Sequence, residues 1–368
     1  MRRLRLLGAV LCLAPGGPGT LAGQAEISAR DAQIRFGGRL HSQLATSSSA
    51  KGKSTDFFTR RARLTLDVRV SPLLDARVQP DFGGGKPELK DAYFRLNFDR
   101  GFRLSVGQFK RAFDIYELDS STDVVVVERT GRIDGVDGCA GLGGTCALSR
   151  FTEKLAYAGR DIGLKADGSL GERVSYMATL TNGTGTGGSD ENSGKSLAGR
   201  VSVRLAEGVV VSANVSRHDF VGETDSAEAA AAFGGDLEIG RFRNGTHLQV
   251  GLVGGENWRH ATPSAREIPR FLTWQAILSR YFPLGGERFE AVEPAIRASW
   301  GDPDRAVGGD GGLLLTPGVF LYVKGKNRIG ANLDIYRRGP ETGGAGDGPD
   351  PATRRSEFSF KLQTYLYY

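Results

Sequence analysis

The chain has 368 residues, 48 Lys and Arg against 42 Asp and Glu, a net charge of +6, and three cysteines. So small a basic excess excludes a protein held to nucleic acid by phosphate contacts. No run approaches the ~18 consecutive apolar residues of a transmembrane helix, so any membrane span has to be made of strands.

Residues 1–25 read as a secretory signal peptide. Arg2, Arg3 and Arg5 precede an apolar run from Leu6 to Leu13, and Gly23-Gln24-Ala25 supplies small residues for cleavage. Leu11 is too large to make Cys12 a lipoprotein site; the alternative for this stretch is an apolar tail. Cleavage removes three arginines and no acid, which lowers the net charge to +3. Residues 26–368 are then an exported domain, either soluble or a transmembrane β-barrel.

From Ala32 onward the chain keeps returning to a period of two. Between Phe58 and Val70, Ala62, Leu64, Leu66 and Val68 face one way, and Arg61, Arg63, Thr65, Asp67 and Arg69 the other. Leu74, Ala76 and Val78 oppose Asp75, Arg77, Gln79 and Asp81; Ala92, Phe94 and Leu96 oppose Asp91, Tyr93 and Arg95. One apolar and one charged face per strand fits a sandwich with a wet surface, or a barrel with lipid outside and water inside.

Connection lengths separate these two. Strands are expected at 32–44, 57–70, 73–82, 88–98, 102–110, 155–167, 172–182, 196–206, 209–217, 235–243, 246–255, 270–281, 288–300, 313–323, 327–336 and 355–368, sixteen in all. Odd-numbered connections are long and even-numbered ones tight, closed by Ser71-Pro72, Asp99-Arg100-Gly101, Glu207-Gly208 and Asn244-Gly245. Long external loops alternating with short periplasmic turns are what outer-membrane barrels have, whereas a sandwich has no reason to sort its loops by parity. The expected fold is therefore all-β: a transmembrane antiparallel β-barrel, sixteen strands, with its third long loop, 111–154, folded into the lumen. Its last strand alternates Phe358, Phe360, Leu362 and Leu366 with Glu357, Ser359, Lys361 and Gln363 and stops on Tyr368.

The third connection carries Val124 to Val127, for which a wall strand is the alternative. It also holds Cys139 and Cys146 in CAGLGGTC, most simply a local disulfide in an oxidising compartment, with unpaired thiols as the alternative. No histidine stands near them to complete a metal site. Ala227 to Ala232 suggests a short helix in the fifth long loop, and His218 and His260 fall in outer loops. With no Gly-x-Ser-x-Gly, lipid hydrolysis has no nucleophile motif, and no cofactor is implied.

The blocks FFTRRARLTLDVRV (57–70), KDAYFRL (90–96), GQFKRAF (107–113), ELDSSTDVVVVERT (117–130) and GRDIGL (159–164) resemble the phosphate-selective porins O and P of Gram-negative outer membranes. CAGLGGTC departs from that pattern. The resemblance implies a sixteen-stranded, commonly trimeric barrel in the bacterial outer membrane, with its third loop in the lumen. The partners that go with it are outer-membrane lipid, the barrel-assembly machinery during biogenesis, and small anions such as phosphate or polyphosphate.

An anion path needs positive charge in a water-filled constriction between low-dielectric walls. The candidates are Lys110, Arg111, Arg129 and Arg132 at the ends of the third loop, and Arg61, Arg63 and Arg103 on the wall. Against this stands the simpler reading that the arginines pair with Asp67, Asp75, Asp81 and Asp91. Loop acids Glu117, Asp119, Asp123 and Glu128 facing wall arginines would instead set up a transverse field. The functional readings are an anion-biased porin, a general diffusion porin of the same fold with little ion preference, or a closed structural or adhesin barrel.

Overall fold

The structure, a computed structural model, describes residues 25–29, 32–49, 51–190, 192–221, 227–260, 268–339 and 356–368. The signal-peptide expectation falls almost wholly on residues 1–24, which lie outside the described residues. The strands are β1 (Ala25–Ala29), β2 (Ala32–Thr46), β3 (Thr55–Arg69), β4 (Leu74–Asp81), β5 (Glu88–Asn97), β6 (Arg103–Lys110), β7 (Arg160–Leu170), β8 (Val174–Thr181) and β9 (Ser196–Ala206). They continue with β10 (Val209–Val221), β11 (Ala227–Arg241), β12 (Asn244–Glu256), β13 (Arg270–Arg280), β14 (Phe282–Pro283), β15 (Ala291–Asp302), β16 (Gly312–Lys324), β17 (Asn327–Arg338) and β18 (Ser356–Tyr367). Helices α1 (Ile115–Leu118) and α2 (Leu148–Lys154) lie between β6 and β7.

Each strand pairs antiparallel with the next, and β18 returns to β2, so the sheet closes on itself. β14 only prolongs the contact of β13 with β15, and β1 folds back along the start of β2. Setting those two aside leaves a closed barrel of sixteen strands. At the seam Lys361 faces Ala45 and Tyr367 faces Arg39; below that, β1 takes over the free edge of β2 from Ala25 opposite Phe36. Gly38 N–H donates to the carbonyl of Tyr368 at 2.8 Å, and a Cβ at Gly38 would stand 2.5 Å from the Tyr368 ring and 2.6 Å from the carbonyl oxygen of Arg63, so a side chain there would have to displace backbone as well as the ring.

Burial follows the pleat. In β18, Glu357, Ser359, Lys361, Gln363 and Tyr365 are buried, whereas Phe358, Phe360, Leu362 and Leu366 are exposed. The exposed face is apolar in strand after strand (Leu64, Phe94, Leu164, Leu197, Val215, Leu252, Ile296, Leu333). A closed sheet with apolar side chains outside and polar ones inside satisfies its backbone without a free edge, which lipid demands.

Four local expectations are corrected. Ala227 to Ala232 is not helical: these residues open β11, and from Ala227 to Gly235 they pair with β10, so ladder hydrogen bonds override alanine's helix propensity. His218 is not in a loop but near the end of β10, buried, with its ring 5.1 Å from that of Trp258. Between β11 and β12 the turn is Phe242-Arg243, because Arg241 pairs with Asn244; Asn244 and Gly245 already belong to β12. The strand expected from 155 begins at Arg160, since 148–154 forms α2. The alternation of connections persists but is less regular. Longer β10 and β11 reduce the fifth long one to 222–226, and the sixth short one runs over 281–290.

Candidate functional site

The connection between β6 and β7 contains no strand, so Val124 to Val127 do not form a wall strand. Asp114 caps α1: its Oδ1 accepts from Tyr116 N–H at 3.0 Å, while Oδ2 accepts from Thr152 Oγ1 of α2 at 2.6 Å. Cys139 and Cys146 are joined as a disulfide, with Cα atoms 5.2 Å apart. The two cysteines, Val125, Val126, Leu142, Leu148 and Phe151 are all buried together.

This segment is hydrogen-bonded to the polar face of β12–β18. Tyr116 Oη donates to the carbonyl of Gln275 at 2.7 Å, and its ring fits because position 251 is glycine, where a Cβ would stand 2.9 Å from it. Arg297 donates to the carbonyls of Glu128 and Arg129, each at 2.8 Å, and to Asp334 at 3.0 Å. Arg328 donates to the carbonyls of Thr122 and Val124, each at 2.8 Å, with the rings of Phe242, Phe320, Tyr322 and Tyr365 around its guanidinium. Val127 N–H donates to Asn332 Oδ1 at 2.8 Å. Irregular backbone away from water needs such partners, and the planar fork of arginine satisfies two carbonyls at once.

On the other side the segment faces β2–β8. The β2–β3 register steps from His41↔Arg61 to Ser42↔Thr59, leaving Arg60 as the extra residue of a β-bulge. Consecutive arginines therefore turn to the same interior. Arg60 makes a two-pronged ion pair with Glu128, at 2.6 and 3.1 Å. Arg61 is 8 % exposed and lies 3.3 Å from His41 Nδ1, with no carboxylate among the described residues in salt-bridge range. Burial alone would raise the Glu128 carboxyl, but Arg60 and Arg61 outweigh it and hold it at about 2.

Between segment and wall is a cavity of about 260 Å³ bordered by Arg39, Arg61, Arg63, Arg77, Lys110, Arg129, Arg160 and Lys165 and by a single carboxylate, Asp91. Several of these cations have partners: Arg63 with Asp81 (2.5 Å), Arg160 with Asp91 (2.8 Å), Arg77 with Asp67 (2.7 Å) and Arg129 with Glu117 (3.1 Å). Lys110 Nζ donates to the carbonyls of Leu118 and Asp119 at the end of α1, and Arg39 donates to Ser121 Oγ at 2.7 Å. Arg63 also borders a second cavity of about 470 Å³ toward the connections 47–54 and 82–87, where Lys53, Lys86, Lys90 and Arg132 meet Asp56, Glu88 and Asp134.

Of the residues expected from sequence, Arg61, Arg63, Lys110 and Arg129 are brought together around the smaller cavity. Arg132 is exposed at the larger one, beside Asp134. Two sit elsewhere. Arg111 is 2 % exposed, its guanidinium bonded to the carbonyls of Ala156, Leu197 and Arg217 and to Ser216 Oγ. Burial lowers it to about 10, still charged at neutral pH, but it acts as a strut between segment and wall. Arg103 pairs with Asp167 at the end of the barrel that carries the 98–102 turn, away from the cavity. Sequence reasoning missed Arg60, hidden by the bulge, and Arg160 and Lys165, which lie within the strand expected at 155–167 but were not singled out there. It also missed the two carbonyl-binding arginines, Arg297 and Arg328.

A closed sixteen-strand barrel with an apolar outer band, a polar interior and water-sized spaces lined by charge is an outer-membrane porin in its architecture. The chain belongs to the phosphate-selective porin O and P family, whose model matches residues 34–234. That places it in the bacterial outer membrane, among channel proteins. No curated protein sequence matches the chain. Among solved structures it is similar to an anion-selective porin from Comamonas acidovorans, at 12% identity and a TM-score of 0.63 over 92% of this chain and 100% of that one. The outer-membrane channel DcaP of Acinetobacter baumannii follows, at 10% identity and 0.61 over 93% and 99%. The trimer form of the outer-membrane protein OmpT of Vibrio cholerae is 12% identical, with 0.58 over 91% and 99%. At such identities the likeness is one of fold.

Proposed function

We propose that the protein is a passive, anion-selective porin in which the segment between β6 and β7 occupies the lumen. That segment leaves a passage only along β2–β8. The observation that carries this reading is the cavity with eight cationic side chains and one carboxylate. In a space walled by protein, such an excess concentrates anions and repels cations far more than the same charges would in open water. Four of the eight, Arg63, Arg77, Arg129 and Arg160, are ion-paired, which leaves Arg39, Arg61, Lys110 and Lys165 without a carboxylate partner among the described residues; arginine forks suit phosphate-like oxygens, so the solute class is an oxyanion such as phosphate or polyphosphate. The family description and the anion-selective neighbour support the same reading. The trimer form of a neighbour supports a homotrimer here.

The test is the reversal potential of the refolded protein in a planar bilayer across a tenfold KCl gradient. The expected sign is that of chloride permeation, and phosphate added at constant chloride should reduce the chloride current. A potential near zero would return the protein to the general diffusion class, and cation selectivity would reverse the proposal.

A further inference from the structure

The charge inside the barrel is not uniform along its axis. Below the cavity, toward the 98–102 and 171–173 turns, arginines and aspartates alternate across neighbouring strands. Asp67 of β3 lies between Arg35 of β2 and Arg77 of β4, and Asp75 of β4 between Arg69 of β3 and Arg95 of β5. Arg103 of β6 faces Asp167 of β7. Asp67 accepts both prongs of Arg77, at 2.7 and 3.0 Å. Asp75 accepts from Arg95 at 2.9 Å and from Asn97 at 2.7 Å. The ratio of cations to acids thus drops from eight to one around the cavity to five to three at this lower level, with Arg77 bordering both.

We infer that Asp67, Asp75 and Asp167 form a release collar: they engage Arg77, Arg95 and Arg103 and offset the charge of Arg35 and Arg69, so that an anion leaving the cavity toward the short-turn mouth finds only a weaker second trap. A channel must bind well enough to admit its ion and weakly enough to let it go, and a ladder of free arginines running the whole length would fail the second condition. A carboxylate that already holds a guanidinium with two hydrogen bonds removes the bidentate partner an oxyanion would seek. The collar also lowers the potential just where solute must return to bulk water. The inference rests on the anion-porin reading and adds to it which acids set the rate of exit.

The experiment compares wild-type channels with the variant Asp67→Asn/Asp75→Asn/Asp167→Asn in planar bilayers, reading block of chloride current by inorganic phosphate added separately to each side. Removing three negative charges a few ångströms from the path should tighten block about tenfold when phosphate enters from the short-turn side, with a smaller change from the other side. Asp67→Asn alone alters the most exposed of the three carboxylates and should tighten block about twofold, which keeps the test informative if the triple variant fails to assemble. Asp134→Asn, at the opposite mouth, is the control and should leave block from the short-turn side unchanged. If wild-type channels prefer anions but block is the same in all variants, the collar is wrong. If wild-type channels do not prefer anions, the porin reading fails first and independently.

Discussion

Arg61 and Arg111 are both buried arginines near the same segment, yet their surroundings give them opposite work. Arg61 has a histidine nitrogen and a cavity beside it, whereas the donor contacts of Arg111 end on the carbonyl of Ala156 in the segment and on two carbonyls and a hydroxyl of the wall. Arg61→Ala is therefore expected to leave assembly intact and shift the reversal potential toward zero, and Arg39→Ala to do the same. Arg111→Ala leaves several buried acceptors without a donor and should cost about 3 kcal/mol, seen as a lower temperature for the heat-modifiable mobility shift on gels. Alternation along the chain identified the inward face of Arg61 but could not distinguish these two roles, because parity fixes direction and not partners. Asp114 supplies a pH-dependent case. Burial pushes its carboxyl from an ordinary 3.8 to about 7, against the hydrogen bonds from Thr152 and Tyr116 and with Glu117 adding repulsion and Arg129 relief. The native state thus holds this proton more tightly than the unfolded chain, so its contribution is greatest below pH 4 and declines until about pH 7. Protection of the α1 amides against exchange, taken relative to the free-peptide rate at each pH, should fall from about pH 4 to about pH 7 in the wild type, and Asp114→Asn should flatten that dependence.

At the scale of elements, all sixteen wall strands were legible, because one lipid face and one water face impose a period that any pleated segment repeats. What failed had a common cause in pairing that is invisible locally. Alanines at 227–232 took the strand that β10 and β12 offered, and the bulge at Arg60 brought a second arginine to the inner face without disturbing the flanking alternation. The long segment between β6 and β7 could be delimited at its first end only, since its internal order comes from contacts with remote strands. Arg328 is the clearest of these, and Arg328→Gln should deprive Thr122 and Val124 of donors while sparing the cavity. Single-channel records of this variant are expected to flicker between conductance levels with anion preference retained. The disulfide acts on a smaller scale: closing so short a stretch contributes about 2 kcal/mol by chain entropy. The change Cys139→Ser/Cys146→Ser should make 133–148 the first site of limited proteolysis and leave the barrel's resistance to heat unaltered.

For the molecule as a whole, the two halves of the wall divide the labour. β12–β18 grip the segment between β6 and β7 through Tyr116, Asn332, Arg297 and Arg328, and β2–β8 meet it across charged space and through the Arg60–Glu128 pair. Only part of this arrangement was legible in advance: length and family likeness set the segment apart, but which wall strands it bonds to depends on residues hundreds of positions away. Refolded protein in detergent should give almost pure β circular dichroism, with so little helix that the minimum of an α-protein is missing.

The seam between β18 and β2 sets the order of events in folding. Every other neighbouring pair of wall strands is consecutive along the chain, whereas Lys361 must find Ala45 across nearly all of it. Non-local pairing of this kind is slow, because the entropy of bringing the ends together is lost before any contact rewards it. The close fit of Gly38 against Tyr368 then works as a keyhole for the final encounter, accepting one alignment and refusing those slipped along the edge. Gly38→Ala is expected to lengthen the half-time for appearance of the fast-migrating form in refolding assays several-fold more than it changes the earlier gain of β signal. Equal slowing of both would mean that closure is not the step the glycine governs.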